Sequence, residues 1–181
     1  VAGWSSQQLK QVTATCTEDF KTWLSGLRDG SNLIGRTLMA QCRMRLDALS
    51  QYSAEDRRNI PLASNPELYL RVVKDRSALL MPSIDTSELM RLQHLYSLMH
   101  AESTFARMYV ENRTLQLNVI LETAIVPAKD ITGQTFQRLL EQLLGFFHAE
   151  RTIRRLGIMP MLVFDDSTVL RWWASAIERI G

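Results

Sequence analysis

The sequence predicts an α+β domain: an antiparallel sheet of two hairpins, four or five strands in all, backed by helices and preceded by an N-terminal helical hairpin. Three observations lead there. Through Thr104 to Val126 the side chains alternate with period two about Glu111-Asn112-Arg113, the pattern of a half-buried strand pair. A shorter alternation, Leu68, Leu70 and Val72 against Tyr69, Arg71 and Val73, precedes a turn at Lys74-Asp75-Arg76 and a second short strand ending at Pro82. The stretches around them carry apolar residues at helical spacing.

In chain order, Ser5-Ser6-Gln7-Gln8 has the form of a capping box, with the Ser5 hydroxyl and the Gln8 side chain each taking an orphan amide. Leu9, Val12, Cys16, Phe20, Trp23 and Leu27 then form one stripe, and Gly30 is read as its stop. A second helix runs from Leu33 to about Leu49 through Ile34, Leu38, Cys42 and Leu46, closing a helical hairpin over 1–52. Polar residues and two prolines, Pro61 and Pro66, make 53–66 a connector. The α+β core spans 67–157. In it, Asp85 with Glu88 caps a helix whose inner face is Leu89, Leu92, Tyr96 and Met99. After the long hairpin, Pro127 closes the strand, and a helix from about Thr132 to Gly157 places Phe136, Leu139, Leu140, Leu143 and Phe147 on one face. The remainder, 158–181, comprises an extended segment, IMPMLVF, and a helix capped by Asp165 or Asp166 with Val169, Trp173, Ile177 and Ile180 on one side.

Charge and chemistry narrow the function. A net charge of +2 and a pI near 8.7, with arginines scattered among acids, do not make the dense basic face of a nucleic-acid binder. No run is long enough to insert in a membrane, and no signal peptide opens the chain, so a cytoplasmic location is the expectation; the first residue is Val, as in a processed or excised chain. Cys16 and Cys42 read as structural thiols, with a disulfide between the two helices as the alternative.

The three histidines lack catalytic or metal spacing, since His94 and His100 are six apart on one helix and His148 stands by Glu150 and Arg151. Asp165-Asp166 suits an N-cap better than Mg²⁺. No enzyme, cofactor or metal is therefore expected. Arg151, Arg154 and Arg155 either offset the negative end of a helix or meet phosphate or an acidic peptide. Trp172 and Trp173 cannot both enter one core from a helix, so one ring is expected at an interface.

The stretch LYSLMHAESTFARMYVENRTLQLNVILETAIVPAKDITGQTFQRLLEQLLGFF resembles the type III secretion chaperone-like fold, which includes the bacterial YbjN family. The likeness covers roughly 67–156 and follows the order helix, strand, tight turn, strand, proline loop, helix. It implies a small noncatalytic chaperone or adaptor, a homodimer holding a segment of a protein client by strand addition at a sheet edge. Contacts expected under that reading are Phe105, Met108, Tyr109, Val110, Leu117 and Val119, with Trp172 and Trp173 at the tail. A YbjN-like regulatory or sensory protein is the alternative, and a small hydrolase a third.

Overall fold

The computed structural model describes residues 3–50, 83–125, 133–155 and 166–180, and these form five helices: α1 (Ser6–Ser50), α2 (Thr86–Leu98), α3 (Glu102–Ile125), α4 (Gly133–Arg155) and α5 (Asp166–Ile180). Among the described residues there is no strand; they are helical, and the α+β expectation is overturned. Of the expected hairpin over 104–126, residues 104–125 belong to α3, which is continuous through the proposed turn. The connector, the short hairpin of 67–82 and the IMPMLVF segment lie outside the described residues.

The N-terminal hairpin is likewise replaced by one helix of 45 residues, about 68 Å long at 1.5 Å per residue. Gly30 does not stop it. A helical glycine costs only about 1 kcal/mol relative to alanine, which tertiary packing readily offsets. The capping box at its start is present, with Ser5 N–H donating to Gln8 Oε1 at 2.9 Å and Gln8 N–H to Ser5 Oγ at 3.2 Å. Because Cys16 and Cys42 share this one helix, about 39 Å apart along its axis, they cannot pair with each other; both are free thiols, Cys16 buried and Cys42 exposed.

The first two helices run antiparallel. Along α1 and α2, the Thr17 and Tyr96 hydroxyls lie 3.2 Å apart and Trp23 Nε1 donates to the Asp85 carbonyl at 2.8 Å. The turn into α3 is a Schellman motif. His100 sits in the left-handed region at φ 54°, its N–H donating to Ser97 O at 3.0 Å and the Ala101 N–H to Tyr96 O at 2.9 Å.

Helix α1 packs most extensively on α4, and there the two backbones touch. A Cβ added at Gly35 would sit inside the contact distance of the Glu141 carbonyl, and one at Gly145 inside that of Ser31. These glycines are required by the crossing, whereas Gly26 and Gly30 meet nothing.

The interior has two apolar parts. One joins Cys16, Phe20, Leu24 and Leu27 of α1 to Leu89, Leu92 and Tyr96 of α2, Phe105 and Tyr109 of α3, and Ala149 and Ile153 of α4. Its centre is aromatic: Phe20 stacks on Phe105 with centroids 4.4 Å apart, and Tyr96 lies 5.3 Å from Phe105. The other joins Leu117, Ile120 and Leu121 of α3, Leu139, Leu143 and Phe146 of α4, and Trp172 and Ala176 of α5.

Candidate interaction surface

Between the two apolar parts lies a polar layer. Arg113 and Glu150, 0% and 2% exposed, form an ion pair; Tyr109 Oη donates to both Glu150 oxygens at 3.0 and 3.1 Å, and Arg113 also donates to Gln116 Oε1. The guanidinium carbon lies 4.1 Å from the Phe146 ring centroid. Burial, reinforced by the neighbouring carboxylate, pushes the Tyr109 phenol well above its ordinary value. Arg113 Nη2 and Gln116 Nε2 have no hydrogen-bond partner among the described residues. The layer has the composition of a site, but its charges are spent on each other and its atoms are sealed from solvent.

The surface offers a different feature. From α4, Phe147 meets α5's Trp173 edge to face at 4.7 Å, while the preceding pair, Phe146 and Trp172, make the same kind of contact at 5.6 Å inside. Trp172 is fixed there by its Nε1–H donating to Thr114 Oγ1 at 2.9 Å. One indole enters the core and the other does not, as adjacent positions on a helix demand.

The side of α5 marked by Trp173 and Ile177 faces outward. Leu170, Trp173 and Ile177 are 64%, 49% and 56% exposed, whereas Trp172 and Ala176 are buried. Helix α4 carries a second outward stripe at the same spacing, with Phe136 and Leu144 exposed and Leu140 and Phe147 half-buried. Where the two helices meet, Phe147, Glu150, Arg151, Arg154, Arg155, Val169, Leu170 and Trp173 line a groove of about 510 Å³. A second cleft of about 650 Å³, lined by Asn32 and Arg36 of α1, Thr123 of α3 and Thr135, Arg138, Leu139, Glu141 and Gln142 of α4, mixes both charges.

Of the contact residues expected from sequence, Phe105, Tyr109, Leu117 and Trp172 belong to the interior, and Met108 and Val110 are half-buried against it. Val119 and Trp173 are exposed, on different helices. Leu170 and Phe147 were not singled out as contacts, although Leu170, Trp173 and Ile177 repeat at three and four residues. Of the histidines, His94 and His100 are exposed and His148 is half-buried. Among the described residues no group of three His, Cys, Asp or Glu side chains comes together, and no helix is long and apolar enough to cross a membrane.

No family model matches the sequence, and no solved structure matches it. Among curated proteins, the chain is similar to exocyst complex component 6 of Canis lupus familiaris, with 22% identity over 194 aligned residues. The alignment takes in 96% of this chain and 23% of that protein, so the chain spans less than a quarter of its relative's length.

Proposed function

We propose that this helical bundle is a noncatalytic protein-binding module, an adaptor through which a larger assembly is held together. The observation that carries the reading is the outward apolar stripe Leu170, Trp173 and Ile177 beside the Phe147 groove. Large apolar side chains clustered on a surface mark an interaction site, and tryptophan is the residue most enriched among those that dominate binding. The similarity to a protein named as a component of a complex supports the same class of job. Binding here is by helix packing; the sheet edge that strand addition requires does not occur among the described residues.

The test is co-purification of the tagged chain from its native source, alongside a Trp173→Ser/Leu170→Ser variant whose helicity is checked by circular dichroism. A stoichiometric companion protein is expected with the unsubstituted chain and should be lost with the variant. Recovery of the unsubstituted chain alone would defeat the reading.

A further inference from the structure

We infer that the groove between α4 and α5 receives an amphipathic helix whose flank is acidic, contributed by a partner protein. This rests on the protein-binding reading above and adds to it the place and the chemistry of the partner.

The shape argues for a helix. The groove runs between two helices, so a third helix laid into it would continue the packing of the bundle with its own apolar stripe as the ridge. The floor is apolar: Phe147 from one wall, and Val169, Leu170 and Trp173 from the other. Trp173 stands edge-on to Phe147 and is held by that contact, so its ring is already ordered before a partner arrives, which lowers the entropy lost on docking.

The sign of the partner's charge follows from the rim. Arg151 and Arg155 are exposed at the C-terminal end of α4, and neither has an ion-pair partner among the described residues. Among the described residues of the lining, the carboxylate is that of Glu150, which is engaged by Arg113 and Tyr109. A basic partner would meet two like charges with no compensation, whereas glutamates or aspartates along one flank of a docked helix would pair with both arginines. The rim therefore selects, and the floor binds.

A display library of helical 18-residue peptides, panned against the full chain, tests this. Enriched sequences should carry apolar residues at i, i+3 or i+4, and i+7, with Asp or Glu gathered on one flank. Synthesised singly, they should bind at least about tenfold more weakly to Trp173→Ser and to Arg151→Glu/Arg155→Glu, and more weakly as salt rises. Charge reversal leaves the apolar floor in place, so a loss there with helicity intact assigns the rim independently of the tryptophan.

Enrichment of neutral or basic peptides, binding indifferent to both variants, or no enrichment would overturn the inference. So would a dimer of the chain that Trp173→Ser converts to monomer, which would make a second copy the occupant. If a stoichiometric companion still co-purifies with both variants, the protein-binding reading stands and this groove is excluded from it. If neither companion nor peptide is found, both fail.

Discussion

Arg113 is completely buried in a helix that its own polarity disguises. Removing one member of a buried ion pair strands the other charge and typically costs about 3–5 kcal/mol, whereas replacing the whole set by apolar groups of similar volume is often neutral. Arg113→Met or Glu150→Leu alone should therefore lower stability by about 3–5 kcal/mol in urea denaturation. The quadruple variant Tyr109→Phe/Arg113→Met/Gln116→Leu/Glu150→Leu, which leaves no phenol, amide or charge of the layer unpaired, should regain most of that loss. A quadruple variant as unstable as the sum of its parts would show that the layer stabilises the fold outright. The same residues explain why α3 was read as strands. Its inward positions are Phe105, Tyr109, Arg113, Gln116, Leu117, Ile120 and Leu121, a helical stripe in which two of the seven are strongly polar. Hydrophobic periodicity registers polarity, not position, so Arg113 and Gln116 broke the 3.6-residue pattern and left a local alternation dominant.

At the scale of the element, what was legible was what depends on neighbours in sequence. The Ser5 and Asp85 caps and the inner face of α2 are as read, and α4 spans Gly133–Arg155 within its expected bounds. That one of Trp172 and Trp173 lies at the surface was legible; which one was not, because an apolar stripe looks the same whether it meets the core or a partner. Nor was the continuity of α1 legible, since a glycine that ends a helix, one tolerated within it, as Gly30 is, and one that admits a crossing helix, as Gly35 is, look alike in sequence; only the packing distinguishes them. That difference gives a paired prediction. Gly145→Ala places a methyl against the Ser31 carbonyl, where rigid backbones must separate, and should destabilise by about 1–3 kcal/mol or more. Gly26→Ala, in α1 and with open space around its Cβ, should stabilise by about 0.5–1 kcal/mol through helix propensity alone. Thermal unfolding of the two variants side by side checks both signs; equal effects would mean that α1 and α4 do not approach so closely in solution.

Among the described residues, the polar layer divides a core built on α1 and α2 from one built on α5, and only α3 and α4 contribute to both. Such halves can open with different free energies even when they share helices, because local stability follows local burial. A chain ending at residue 157 lacks α5 and so loses Trp172 and Ala176 from the second core, uncovering Leu117, Leu121 and Phe146. Burial of one large apolar side chain contributes about 1.5–3 kcal/mol, so the loss falls heavily on that half. The first core keeps all its members, including the stacked Phe20 and Phe105. Truncation also removes two of the four tryptophans, leaving Trp4, which is exposed, and Trp23, whose indole is tied to the Asp85 carbonyl between α1 and α2. The emission of the shortened chain therefore reports chiefly on the first half. We expect it to bind a hydrophobic dye and to show fast amide exchange in the C-terminal part of α3 and the N-terminal part of α4, while Trp23 keeps a native emission maximum that is lost cooperatively at a lower urea concentration than in the full chain. Loss of the native Trp23 signal without denaturant would mean that the layer couples the halves into one folding unit. A truncated chain that binds no dye and exchanges its α3 and α4 amides as slowly as the full chain would mean that α5 is an appendage, leaving Trp172 without the structural weight that its burial implies.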